Sequence, residues 1–368
     1  MASVRDSRMA QPGARAANRD VKALDSPTEA DVLGHAREAR GPCLERKGQI
    51  PPACLVCGSA RWRAEYPAAL PWLLRCRSCG FQRVWPQPGR EELAAVYGPQ
   101  YYQQFGCEGA LEPVYRRMKQ VWADRLLRQI ERYVAPGRLL DVGSALGDVL
   151  AAAMRRGWKA VGVEPNQFAV ERSVATVPDA EVLCATLEEL SVCPPRATGE
   201  GRRGMAEPCA FQSAMVTENA FDAVTCLEVI EHLSDPVAAL GRLYELVRPE
   251  GVVAITTPDA ASLHARLSGR RWVHYHRDHL WYFDRRSLEL LARRVGLDVL
   301  FCGRAWKRFH LRYIGAILKR YSGSAWVRAV GKVLFRGLPA VVAHRLLPPL
   351  PEGLLLLARR PVSGEVLA

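Results

Sequence analysis

The sequence predicts an α/β fold built on a mostly parallel sheet. Two observations carry this. From residue 137 onward, short apolar runs alternate with helical stripes, the pattern of parallel strands joined by crossover helices. The first run also ends in a glycine-bearing turn, "LLDVGSALGDVL", and the next run ends in an acidic residue. A third observation, two CxxC pairs, predicts a small metal-bound unit ahead of the sheet. At 368 residues, 49% apolar and 24% charged, the chain suits one large or two modest domains.

The elements follow in order. Residues 1–50, rich in Ala, Arg, Gly and Pro without a sustained period, are expected to be a disordered tail. Residues 51–90 are expected to form a zinc ribbon. Eighteen residues separate the pair Cys54 and Cys57 from the pair Cys76 and Cys79, the spacing of a structural zinc site, and Gly58 and Gly80 follow the pairs. Residues 91–136 read as a helical lead-in, with a stripe of Val114, Met118, Val121, Trp122, Leu126, Ile130 and Tyr133.

Residues 137–303 form the core. Its strands are "RLLDVG", "KAVGVE", "AEVLC", "FDAVTCL", "GVVAITTP" and "LDVLFC". Its helices are "ALGDVLAAAMRRG", "PNQFAVERSVATV", "PVAALGRLYELV" and "RRSLELLARRVG". Residues 193–220 lack a period and read as a flexible insertion. Residues 304–350 read as a basic helical cap, and 351–368 as the last strand and tail. From Val299 to Pro351 there is no Asp or Glu.

The net charge of +13 admits an acidic partner: nucleic acid, an anionic membrane surface or a phosphorylated substrate. No apolar h-region appears in "MASVRDSRMAQPGARAANRD", and no run reaches about 18 apolar residues. A reducing cytoplasm is therefore expected, where paired cysteines hold metal. The basic cap adds peripheral contact with the inner membrane face as an alternative.

At the glycine turn, Gly143 and Gly147 let the backbone approach a ligand, while Gly143, Ala145 and Asp148 do not spell GxGxxG. Asp141 before the turn repels a pyrophosphate and welcomes an ammonium. Glu164, ending the next strand, is placed to accept both hydroxyls of a ribose. A ligand with an amino-acid end and a ribose end meets both demands.

With "VGVEPN", "LCATLEEL", "FDAVTCLEVIEHLSDP", "LVRPEGVVAITTPD" and "RDHLWYFDRRSLELLARRVGLDV", this turn resembles the class I S-adenosylmethionine-dependent methyltransferases. It resembles in particular the broad group that includes the ubiquinone-biosynthesis O-methyltransferases. The resemblance implies a Rossmann-like sheet of seven strands, with the basic cap as a helical insertion before the last. It places Asp141, Gly143, Ala145 and Gly147 at the methionine part of S-adenosyl-L-methionine, Glu164 at the ribose and Leu187 at the adenine. Ala145 departs from the family's middle glycine.

Glu228, Glu231 and His232 in "CLEVIEHLSDP" would share one face if helical. They resemble the ExxEH cation site of ubiquinone-pathway and small-RNA methyltransferases, with His279 of "HYHRDHLWYF" as a further ligand. Mg2+ or Mn2+ is the cation implied. His232 reads equally as a general base or a structural histidine, and "RRWVHYHRDHLWYFDRR" as a substrate loop or an aromatic packing patch. The expected activity is O-methylation of a sugar, polysaccharide precursor or other small metabolite. An RNA methyltransferase and a noncatalytic scaffold are the alternatives.

Overall fold

The computed structural model describes residues 51–66, 70–89, 92–93, 112–193, 215–217, 219–275, 278–311, 314, 347 and 350–362. The expected tail, most of the insertion at 193–220 and most of the basic cap lie outside the described residues.

Each CxxC pair turns back at a glycine, Gly58 at φ 72° and Gly80 at φ 85°, a backbone that other residues adopt only with strain. β1 (Trp62–Tyr66) and β2 (Leu70–Cys76) join the two turns, and β3 (Gln82–Val84) follows the second. The three are antiparallel neighbours. α1 (Glu112–Ile130) then buries Val114, Met118, Ala123, Leu126, Leu127 and Ile130. The expected stripe is rotated slightly: Tyr133 lies beyond the helix and is exposed.

The core alternates as expected through β4 (Arg138–Val142), α2 (Asp148–Arg155), β5 (Lys159–Val163), α3 (Gln167–Thr176) and β6 (Glu181–Leu183). Next come β7 (Ser191–Cys193), β8 (Met215–Thr217), β9 (Phe221–Leu227), α4 (Pro236–Leu246) and β10 (Val247–Thr257). α5 (Leu263–Ser268), β11 (Trp281–Tyr282), α6 (Arg285–Arg294), β12 (Asp298–Lys307) and β13 (Leu350–Arg359) complete the described elements. Asp235 caps α4, accepting from the backbone amides of Val237 and Ala238, and Pro236 takes the first helical position, where its missing N–H costs nothing.

Seven strands form the main sheet in the order β12–β13–β10–β9–β4–β5–β6. β13 alone is antiparallel to its neighbours. The chain builds outward from β4 to β5 and β6, then returns to the other side of β4 with β9. The C-terminal ends of β4 and β9 therefore flank the reversal point, where open α/β sheets hold ligands. Leu139, Leu140, Ala223, Val224 and Ile255 are fully covered, as strands with helices on both faces require.

Three details differ from the sequence-based expectation. β7 and β8 pair in parallel at the edges of the stretch that showed no period, because three residues are too few to display one. β12 runs to Lys307, past the expected boundary at 303, since β13 pairs with it along that length. Most unexpectedly, β11 adds a fourth strand to the ribbon: Trp281 and Tyr282 pair with Arg83 and Gln82 of β3. Phe81 stacks on Trp281 at 5.5 Å and lies 5.2 Å from Phe283, so ribbon and main sheet share one apolar core.

Candidate active site

The turn after β4 holds itself in an unusual shape with local bonds. Gly143, Ala145 and Gly147 take φ of 72°, 48° and 79°. Gly143 and Ser144 donate their amides to the Val163 carbonyl, and Ala145 donates to Glu164 Oε2 at 3.0 Å. The other Glu164 oxygen accepts from the Asn166 amide at 3.0 Å. Glu164 thus braces the turn and retains lone pairs for hydroxyl donors. Two of the glycines are demanded by close approach. A Cβ on Gly143 would stand 2.4 Å from Val229 Cγ2, and one on Gly147 would stand 2.4 Å from Ser173 Oγ.

Asp141 is buried at the end of β4, where its Oδ1 accepts from the Thr225 hydroxyl at 2.6 Å. Burial, with the Glu164 charge adding to it, pushes its carboxyl up to about 7, against the Thr225 hydrogen bond and the Lys119 charge. Burial likewise raises Asp148, to about 6, opposed by Lys119 and Arg116 of α1. A buried acid of this kind gains from a cationic ligand, which restores its ionised form. Tyr115 of α1 packs on Leu146 and Ala169, so the lead-in helix lies along this turn. Leu187 is buried at 3% exposure within the main core.

The segment after β9 is a turn and not a helix. Glu228 has φ 57°, and its carboxylate pairs with Lys307 at 3.2 Å. The turn therefore separates Glu228 from the other two groups that a helix would have stacked on one face. Glu231, His232 and His279 do gather: one ligand atom from each lies within 4.8 Å of the others. They meet because the segment after residue 278 clamps the turn. Leu280 donates its amide to the Glu231 carbonyl at 2.8 Å, and the Trp281 indole donates to the Leu233 carbonyl at 2.7 Å. His232 and His279 cross edge to face at 4.5 Å.

Burial favours the neutral forms of Glu231 and His232. Glu231 is 1% exposed, and burial, reinforced by the Glu228 charge, raises its carboxyl well above the usual range. Burial depresses His232 despite the Asp278 carboxylate 3.4 Å from Nδ1. His232 Nδ1 also lies 3.0 Å from the Asp278 carbonyl. A carbonyl only accepts, so Nδ1 carries the proton and Nε2 offers the lone pair.

At the ribbon, the sulfurs of Cys54 and Cys79, and those of Cys57 and Cys76, are 3.6 Å apart, and all four lie within 4.8 Å. A tetrahedron with ~2.3 Å zinc–sulfur bonds places sulfurs about 3.8 Å apart, so the set fits that ion. The hydrogen bond with Cys79 draws the Cys54 thiol down to about 5 and pushes its partner up. Arg83 of β3 is 3% exposed. Its guanidinium sits 4.6 Å from the Trp85 ring and 5.1 Å from the Trp281 ring, and burial lowers its pKa.

Against this geometry, the family model described as "Methyltransferase domain" matches residues 114–300, half of the chain. The chain belongs to that family. The match and the seven-stranded sheet identify the domain as a class I S-adenosylmethionine-dependent methyltransferase. The ubiquinone biosynthesis O-methyltransferase of Neisseria meningitidis serogroup C is 29% identical over 176 residues, covering 44% of this chain and 64% of that protein. Its counterpart in Alkalilimnicola ehrlichii is 32% identical over 124 residues, covering 33% of this chain and 41% of that protein. The chain thus spans less than two thirds of either relative. The Burkholderia thailandensis 1,6-didemethyltoxoflavin-N1-methyltransferase structure is 12% identical, covering 78% of this chain and 97% of that one, with a TM-score of 0.43.

Within the methyltransferase domain, Asp141, Gly143, Ala145, Gly147 and Glu164 stand together at the ends of β4 and β5, as the motif order implied. Leu187 is in the core beneath them. Glu228 is the outlier, set apart by the turn. The sequence reading missed Thr225, Lys119, Asp278 and Lys307. Thr225 was findable, since parallel β4 and β9 place it opposite Asp141. The other three reach the site only through tertiary packing.

Proposed function

We propose that this methyltransferase domain moves a methyl group from S-adenosylmethionine to a hydroxyl of a sugar, polysaccharide precursor or other small metabolite. The gathering of Glu231, His232 and His279 at the end of β9 carries this reading, because Val229 of the same turn touches Gly143 of the cofactor turn. S-adenosylmethionine supplies an electrophilic methyl on a sulfonium, so the protein's tasks are alignment and removal of one proton. Asp141 is the acceptor for the ammonium and Glu164 for the ribose hydroxyls. His232 Nε2 takes the hydroxyl proton, with Nδ1–H held by Asp278. Glu231, its carboxyl raised by burial, and His279 position the acceptor oxygen.

A second reading has its own support. The close approach of Glu231, His232 and His279 suits a cation with open positions. With Glu228 drawn to Lys307, the donor set is one carboxylate and two imidazoles, which favours Mn2+ over Mg2+. The ribbon cysteines are read as holding a structural Zn2+. RNA methylation and a scaffold role have no separate observation behind them.

The test is labelled-methyl transfer to an extract of the producing cell, with mass analysis of the product. His232→Ala is expected to lower turnover at least about hundredfold with S-adenosylmethionine affinity unchanged. Unchanged turnover removes His232 as base. Restoration of a chelator-treated enzyme by Mn2+, but not of a chelator-treated Glu231→Gln variant, selects the cation reading.

A further inference from the structure

The ribbon carries a cavity of about 490 Å3 that no residue at the ends of β4, β5 or β9 lines. Its walls include Arg63, Arg75, Arg77 and Arg286, with Ser78 and Asp284. We propose that this cleft binds a small molecule bearing a diphosphate. The proposal stands apart from the methyl-transfer reading, and its test reads binding alone.

The first support is charge that the protein leaves uncancelled. Arg63 and Arg75 share Glu65, at 2.8 and 3.5 Å. Asp284 is 3.9 Å from Arg75 but is committed to capping α6, accepting from the Ser287 amide at 2.8 Å. Arg77 and Arg286 are exposed and have no carboxylate within ion-pair distance among the described residues. Two exposed guanidiniums with no carboxylate at ion-pair distance, beside Arg63 and Arg75, leave the cleft wall positively charged and attractive to an anion.

The second support is shape. The cleft has the volume of a small-ligand site. Guanidinium forks match phosphoryl oxygens two at a time, so this wall suits two linked phosphoryl groups. Cys76 and Cys79 also line the cleft. A ligand with a single negative charge gains little there, whereas a diphosphate engages several guanidiniums together. Gly80 makes room: a Cβ there would stand 2.2 Å from Asp284 Oδ2. No aromatic side chain lines the cleft, which removes the stacking platform that single-stranded nucleic acid uses.

The full chain, with its zinc content measured, is titrated calorimetrically at low salt with inorganic pyrophosphate, a nucleoside diphosphate and a short single-stranded RNA. Both diphosphates are expected to bind and to compete. Arg77→Ser with Arg286→Ser is expected to weaken them at least about tenfold, with zinc content and melting temperature unchanged. Arg286→Glu, on α6 and away from the cysteines, is expected to weaken them as well, which guards against a knuckle that fails to fold. Absence of pyrophosphate binding, or equal affinity in Arg286→Glu, overturns the proposal. So does RNA binding more tightly than either diphosphate with the same arginine dependence.

Discussion

β4 and β9 are neighbours in one sheet and end side by side, yet their ends are built in opposite ways. The turn after β4 is held by residues close in sequence: Gly143, Ser144 and Ala145 bond to Val163 and Glu164 of the adjoining strand. The turn after β9 is held from afar, by residues 278–281 and through them by the ribbon strand β3. A cofactor shared by a whole family suits a self-contained cradle. The turn after β9, which the proposed function places at the acceptor, is assembled from distant segments, and so can be altered without disturbing the cradle.

The largest expected effect comes from breaking the remote support. If the four cysteines hold zinc as proposed, Cys76→Ser removes a ligand whose metal is worth on the order of 10 kcal/mol to a small zinc unit. Limited proteolysis is expected to cut the ribbon, and turnover to fall more than about hundredfold, while S-adenosylmethionine affinity moves less than about threefold. Equal loss of both means that the two halves are not separable.

Gly143→Ala tests the point where the halves touch. A left-handed backbone and the clash with Val229 together are expected to cost about 1–3 kcal/mol in thermal or denaturant unfolding. Adding Val229→Ala is expected to recover the steric share, read as a double-mutant cycle. No recovery places the whole cost in the backbone.

Protonation sharpens the cradle side. Asp141 must ionise to receive an ammonium, so S-adenosylmethionine affinity is expected to rise with pH up to about 7 and then level off, by at most about tenfold per pH unit. Stability runs the other way. A carboxyl raised in the folded state holds its proton where the unfolded chain has lost it, so its contribution declines as pH climbs from the ordinary carboxylate range toward 7. Asp141→Asn is expected to flatten the affinity profile; a slope that persists belongs to Asp148, raised to about 6.

The smallest effect is expected from Ala145→Gly. It relieves a φ of 48°, worth about 1 kcal/mol, and gives back about half of that through a looser unfolded chain. Melting temperature should move by only about 2 °C and cofactor affinity by less than about threefold. A larger gain in affinity assigns Ala145 a steric role in the pocket.

The same contrast explains what the sequence disclosed. The cradle was legible because glycine spacing, Asp141 and Glu164 lie on consecutive strand ends, where order along the chain is order in space. The cysteine spacing announced the ribbon for the same reason. The shared helix face expected if the segment were helical did not form, because Glu228 adopts positive φ and the chain turns, although Glu231 and His232 still gather with His279. Trp281 and Tyr282 gave no ribbon signal at all: two residues carry no period, and their partner strand precedes them by almost the whole core.

That last pairing also sets a clock. β3 presents an open edge until residues some 200 positions later leave the ribosome, about 10–40 s at ~5–20 residues per second. The main sheet waits longer still, because β13, close to the end of the chain, enters between β10 and β12. The nascent protein thus carries two unfinished sheets until β11 and β13 emerge, and unpaired edges are where chains aggregate. Chaperone demand and expression yield should therefore depend on Leu350–Arg359 more than its distance from the candidate active site suggests.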